Sequence, residues 1–235
     1  MALDGWLLEQ HRQGRCPPTL RFYGWEPRAL SLGYHQRQFP AEWRTLTWQG
    51  APIDLVRRPS GGRAVLHQGE LTYALIASGF AASRMQAYQD VCTFLIRGWR
   101  SLGVDLAFGT ARRGYIHNPN CFGTATAADL VTAEGYKLIG SAQLRRGSSL
   151  LQHGSMRLQP DAELMQKIFG SGHSMSPLTL PPPPVTHLSI ESIQSALMQA
   201  AVQQFGITIE EKPLSAGEWA EVRSLADDPN FSALA

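Results

Sequence analysis

Lysine is almost missing from this chain: of 21 basic residues only Lys137, Lys167 and Lys212 are lysines, and the rest are arginines. A lysine inside a motif therefore stands out against the composition. Cysteine is scarce too, at three in 235 residues, an odd and low number that excludes a disulfide framework. Charge is sparse and balanced, 17% of residues with a formal net of +2. That excludes a polybasic nucleic-acid arm as the main theme while leaving room for local basic patches. No apolar run approaches the ~18 residues of a membrane span, and MALDGWLLEQHRQGR lacks the signal-peptide pattern. Glycine (22) and proline (15) stay below the roughly 25–30% of low-complexity chains. There is no CxxC, HExxH or carboxylate cluster, so no catalytic metal is expected, and no G-x-S-x-G elbow. These absences predict a soluble, cytoplasmic protein with neither a nucleic-acid nor a membrane partner.

What is present is enough for one large domain whose core needs no staples. Residues 2–12 read as a helix. Thr19–Trp25 and Ala29–Tyr34 read as a strand pair around Glu26-Pro27. Residues 52–58 are extended, 59–62 form a Pro-Ser-Gly-Gly turn, and Arg63–Leu66 and Leu71–Ala77 carry strand periodicity. In 84–102, Tyr88, Val91, Cys92, Leu95, Ile96, Trp99 and Leu102 step by three and four along one helical face, which Gly103 closes. Residues 108–120 read as an irregular loop, followed by strands near 126–133, 136–145 and 149–158. A proline-rich connector spans 171–184. Beyond it come an amphipathic helix over 190–205, capped by Ser189 and ended by Gly206, a short strand Ile207–Glu211 and a helix over 216–226. The order argues an α+β fold with helices on a mostly antiparallel or mixed sheet. The expected organisation is a catalytic unit over 1–184 with the helix–strand–helix segment 185–235 packed on the same domain.

Three places could carry chemistry. In R-R-P-S-G-G-R-A-V-L-H (57–67), a glycine pair leaving a strand lets backbone approach a ligand, while the arginines offer anion-binding forks. In isolation the same stretch also reads as a hairpin turn with solvated arginines. The loop is neither a P-loop nor G-x-G-x-x-G. Among the cysteines, Cys92 sits on an apolar helix face as a small hydrophobe, and nothing activates Cys16 in its proline loop. Cys121, in N-P-N-C-F-G, is a candidate nucleophile if a cation or base holds its thiolate. Lys137 is either a solvated strand-end lysine or that cation. His67 and His153 sit at strand ends beside glycines, as structural or ligand-binding histidines.

Taken together, R-R-P-S-G-G-R-A-V-L-H, G-E-L-T-Y (69–73), C-F (121–122), K-L-I-G-S-A-Q (137–143) and L-Q-H-G-S (151–155) resemble the lipoate–protein ligase and octanoyltransferase family. M-A-L-D (1–4), T-L-R-F-Y-G-W-E-P (19–27) and L-S-L-G-Y (30–34) extend the resemblance over residues 1 to about 160. It implies a biotin/lipoate-ligase-like catalytic domain with mixed sheets flanked by helices. It also implies attachment of a medium acyl chain or lipoate to one lysine of a lipoyl domain. Within the family, G-E-L-T-Y in place of a G-N-x-N-[YF]-like stretch, the short segment after the connector, and a cysteine sixteen residues before the motif lysine favour transfer over ligation. The cysteine position is similar to the nucleophile of LipM-type octanoyltransferases. The stretch G-T-A-T-A-A-D-L after Phe122 departs from the P-S-x-Y-E-L-like pattern of relatives, which bears on acyl-pocket shape. A biotin–protein ligase is disfavoured by the missing G-R-G-R-x-[GR] loop.

The resemblance implies that Cys121 is the nucleophile and Lys137 its catalytic partner. It further implies that Arg58, Ser60, Gly61, Gly62, Arg63, His67, Leu71, Tyr73, Gly140, Ser141, Ala142 and His153 bind substrate. The donor would be octanoyl-acyl carrier protein. The acceptor would be a lipoyl domain of 2-oxoacid dehydrogenases or glycine cleavage H protein. No cofactor is expected, with ATP and magnesium belonging to the alternative ligase forming lipoyl-AMP. A non-catalytic lipoyl-carrier-binding module is the second alternative. Acidic carriers would meet Arg57, Arg58, Arg63, Arg112, Arg113, Arg145 and Arg146.

Overall fold

The computed structural model of the chain describes residues 1–109, 128–170 and 185–227. In chain order the elements are α1 (Ala2–Arg12), β1 (Thr19–Tyr23), β2 (Ala29–Leu32), a 3-10 turn (Ala41–Thr45), β3 (Thr47–Trp48), β4 (Ala51–Pro52), β5 (Asp54–Arg57), β6 (Val65–His67) and β7 (Glu70–Ser78). They continue with α2 (Arg84–Ser101), β8 (Ala107–Phe108), β9 (Asp129–Val131), β10 (Lys137–Arg146), β11 (Ser149–Arg157), α3 (Ala162–Phe169), α4 (Ile190–Phe205) and α5 (Ala216–Asp227). Strands β1-β7-β11-β10-β9-β8 form an antiparallel six-stranded sheet, and β5-β2-β6 a smaller mixed one. The fold is α+β, with helices flanking the sheets.

Alternation along the central strands sets the layers. Leu71, Tyr73 and Leu75 of β7 face one side, with Leu150 and Met156 of β11, and pack under Val91, Phe94, Leu95 and Trp99 of α2. Ala74 and Ile76, with Leu151, face the other side and meet Leu3, Trp6, Leu7 and Leu8 of α1. Both strands are thus buried on both faces; β7 reads as a nearly continuous apolar run, whereas β11 carries buried polar residues among its leucines. Each fully buried α2 side chain contributes about 1.5–3 kcal/mol of transfer free energy. Helix α4 adds Ile193, Leu197, Ala200 and Ala201 to the α2 side. It comes so near that a Cβ on Gly98 would lie 2.7 Å from Leu197 Cδ2. Helix α5 meets α1 through Val222 and through Trp6 Nε1, which donates to Glu221 Oε2 at 2.9 Å.

Two sequence expectations need correction, and one helix was not expected. Strands β1 and β2 do not pair with each other. β1 lies on β7 in the large sheet, while both edges of β2 are taken by β5 and β6. Ile207–Glu211 joins no ladder among the described residues, and Ile207 and Ile209 stay exposed. Helix α3 went unread, although Asp161 caps it by accepting from Leu164 N at 2.9 Å. Its Leu164, Ile168 and Phe169 close a second core over Leu30, Leu32, Trp43 and Leu66.

Candidate functional site

Strand parity also decides where the polar residues of β11 point. Gln152 shares the α2 side with Leu150, and its Nε2 donates to Tyr73 Oη at 3.0 Å and to Cys92 Sγ at 3.5 Å. His153 shares the α1 side with Leu151 and meets Asp4 of α1, Nδ1 to Oδ2 at 3.0 Å. The β10–β11 register sets Gly154 opposite Ser141. A Cβ at Gly154 would lie 2.4 Å from Ser141 Oγ and 2.7 Å from the Tyr73 ring. Small residues here leave an open cleft with mostly carbon walls.

Of the substrate-binding residues expected from sequence, Arg58, Gly61, Gly62, His67, Gly140, Ser141, Ala142 and His153 line this one cleft, although they come from distant segments. Ser60 lies behind the wall, its Oγ 2.5 Å from His153 Nε2. Tyr73 is in the core, with its hydroxyl 2.8 Å from Ser141 Oγ. Leu71 is a core residue of the sheet. Lys137 is buried as well, its Nζ 2.9 Å from Asp129 Oδ1. Neither Leu71 nor Lys137 is among the described wall residues. Cys121, Arg112 and Arg113 lie outside the described residues.

The arginines of the loop bind protein carbonyls. Arg58 Nη1 donates to Ser31 O and Ser31 Oγ at 2.8 and 2.7 Å, and Nη2 to Gly61 O and Arg63 O at 3.1 and 2.7 Å. Arg57 Nη1 donates to Gly33 O at 2.8 Å and Gln36 O at 2.7 Å. Both side chains are buried; Arg58 shapes the S-G-G turn and Arg57 the 33–36 turn, and the expectation that these two face an acidic carrier is corrected. Gly33 has its own reason in L-S-L-G-Y: a Cβ there would lie 1.8 Å from Gly62 O. Gly33→Ala must displace the turn and should destabilise the protein by about 1–3 kcal/mol. Urea unfolding checks this, and an unchanged midpoint would contradict it.

Two Ser–His–carboxylate chains border the cleft. Ser31 Oγ accepts from Arg58 and lies 2.7 Å from His67 Nε2, and His67 Nδ1 lies 2.6 Å from Glu70 Oε1. Trp25 stacks on His67 with centroids 4.0 Å apart. In the second chain Asp4 also accepts from Arg21 Nη1, and from Tyr23 Oη at 3.1 Å. Burial alone would raise the Asp4 carboxyl. The hydrogen bond and charge of His153, with the Arg21 charge, outweigh it and hold the group at about 2. Burial lowers His153, against the opposing pull of Asp4. A neutral imidazole beside an acceptor-only carboxylate carries its proton on Nδ1, which leaves Nε2 to accept from Ser60.

This arrangement has a pH consequence. A carboxyl depressed in the folded state contributes stability above its unfolded value, and that stability disappears as pH falls through the folded one. His153 adds loss of the same sign, because the unfolded chain binds its proton more readily. Acid titration should therefore remove about 2 kcal/mol between roughly pH 5 and pH 2 that Asp4→Asn does not show. Parallel acid-unfolding curves for the two proteins would contradict the assignment.

Asp4, Ser31 and Asp129 escaped sequence reasoning. An acidic residue in a first helical turn reads as a dipole complement. Nothing local couples it to a histidine 149 positions away. Among the described residues no group of three or more His, Cys, Asp or Glu side chains could hold a metal ion, and no helix is long and apolar enough to cross a membrane.

Residues 1–212 match the family described as the lipoyl protein ligase A/B catalytic domain. Octanoyltransferase LipM of Kyrpidia tusciae is 34% identical over 98% of this chain and 93% of its own length. The LipM of Anoxybacillus flavithermus is 39% identical over 72% of this chain and 64% of its own. Among solved structures, lipoate-protein ligase A bound with ATP superposes with a TM-score of 0.73 at 23% identity, covering 97% of this chain and 88% of that one. A bi-partite lipoate protein ligase of Thermoplasma acidophilum gives 0.74 at 20% identity, over 97% and 86%. At these identities the structures show the shared fold.

Proposed function

We propose that this chain, which belongs to the lipoyl protein ligase A/B catalytic domain family, transfers an octanoyl group from acyl carrier protein to the target lysine of a lipoyl domain. The observation that carries the reading is end-to-end similarity to an octanoyltransferase, 98% of this chain against 93% of the relative. It is an acyltransferase, and its acceptors are the lipoyl domains of 2-oxoacid dehydrogenases or glycine cleavage H protein, in the cytoplasm.

Cys121 is the nucleophile. Its thiolate attacks the carrier thioester, the carrier thiol leaves, and the acyl group rests on the enzyme as a second thioester. The acceptor amine then displaces Cys121, giving an amide. Lys137 supplies positive charge that favours the thiolate and the developing oxyanion. Backbone N–H groups of Gly61 and Gly62 are the candidate oxyanion donors. The carbon-rich walls between Gly61-Gly62 and Gly140–Ala142 suit an alkyl chain, which gains about 0.8 kcal/mol per buried methylene.

The donor thioester already carries the activation that adenylation supplies in a ligase, so the reaction needs no ATP. Transfer from octanoyl-carrier protein to a lipoyl domain should proceed in its absence, read as the mass gain of the acceptor. An absolute ATP requirement with free lipoate or octanoate as donor would assign the chain to ligation. No transfer under either condition would leave a binding module.

A further inference from the structure

We propose that the Ser155 hydroxyl donates a hydrogen bond to the carbonyl oxygen of the acyl group and so fixes which way the chain lies in the cleft. This rests on the acyl-transfer reading above and deepens it, giving a contact to a residue that the reading leaves unused.

Ser155 lies on β11 two residues beyond His153, so it faces the same side of the large sheet. It is 3% exposed and lines the cleft, yet its Oγ has no hydrogen-bond partner among the described residues. A buried hydroxyl left unpaired is costly, and at the wall of a ligand cleft the ligand is the partner that remains.

The neighbouring side chains are otherwise engaged. The ladders place Thr72 on one side of Ser155 and Gly140 on the other. Thr72 Oγ1 donates to Glu70 Oε1 at 2.6 Å and accepts from Trp25 Nε1 at 3.0 Å. Gly140 has no side chain to offer. His153 is held at both ring nitrogens, by Asp4 and by Ser60. Ser141 turns to the opposite face, where its Oγ lies 2.8 Å from Tyr73 Oη.

The chemistry of the ligand then sets the direction of the bond. An alkyl chain has no hydrogen-bonding atom, and an acyl carbonyl oxygen only accepts, so Ser155 is the donor. The β10–β11 register gives the chain its polarity. Ser155 stands opposite Gly140, three residues from Lys137, whereas His153 stands opposite Ala142, two residues further along the strand. A carbonyl held by Ser155 lies toward the Lys137 end of β10, and the alkyl tail runs toward Ala142.

The test measures binding of two unreactive analogues of the donor. One is acyl carrier protein bearing octanoyl through an amide, which keeps the carbonyl. The other bears octyl through a thioether, which lacks it. Ser155→Ala should bind the amide analogue about three- to tenfold more weakly than the parent does. It should bind the thioether analogue as the parent does. Ser155→Thr keeps the hydroxyl and should retain the parent's preference for the amide. Because the hydroxyl has no partner in the protein, the urea midpoint of Ser155→Ala should equal or exceed the parent's. Unchanged amide binding by Ser155→Ala, or a lost preference in Ser155→Thr, would overturn the contact. So would an equal loss with both analogues or a midpoint well below the parent's, which is what a merely structural role gives. A parent protein that binds neither analogue would overturn the acyl-transfer reading itself, and the contact with it.

Discussion

Cys121→Ser is expected to abolish the acyl-enzyme and to lower octanoyl transfer by on the order of 10³-fold or more. A hydroxyl is far less acidic than a thiol, so an ammonium able to favour a thiolate cannot generate the alkoxide comparably. The other two cysteines serve as controls. Burial raises the Cys92 thiol to about 12, in the α2 core, where it is inert at neutral pH. Cys16 is half-buried in the loop after α1, beside Thr19 Oγ1 at 3.6 Å. Cys92→Ser and Cys16→Ser should still accumulate the adduct. Steady-state transfer with each variant checks this, and parent-like turnover by Cys121→Ser would end the thioester mechanism.

Lys137→Ala has the second large effect, and it divides between activity and stability. From sequence alone the substitution is expected to leave the fold intact. The structure revises that, since Lys137 and Asp129 form an ion pair with both side chains about 5% exposed. Removing the ammonium takes a charged partner from a buried carboxylate and should lower stability, by at most about 3–5 kcal/mol. The alanine variant is thus expected to unfold at markedly lower urea while also acylating slowly. Adding Asp129→Asn should recover part of the stability, because a neutral amide is cheaper to bury, but should not recover the acylation rate. A Lys137→Ala midpoint matching the parent would show that the pair contributes nothing.

Much of the architecture was legible because it is written in local periodicity. Helix α2 has its apolar stripe, Ser83 before it and Gly103 after it. Strand β7 carries a long apolar run, and a glycine turn at Gly147 separates β10 from β11. What local pattern could not carry was partnership. β1 and β2 have strand-like residues, but which sheet each joins depends on edges that other segments occupy. Ile207–Glu211 has β-branched residues but joins no ladder among the described residues. At the site, the glycine turn, the G-S-A stretch and the two histidines were readable as motifs, and they converge on one cleft. The roles of Arg57 and Arg58 were misread because a guanidinium that serves backbone carbonyls has the same sequence signature as one awaiting an anion. Asp4 and Asp129 were silent for a related reason, since each becomes meaningful only through a residue on another element.

The central claim is a covalent octanoyl group carried on Cys121. Intact-mass spectrometry after mixing the protein with octanoyl-acyl carrier protein, with ATP absent, tests it most directly. The account predicts a gain of one octanoyl group, released by hydroxylamine and mapped by peptide fragmentation to Cys121. An unmodified mass alongside acceptor octanoylation, or an adduct on any other residue, would contradict it.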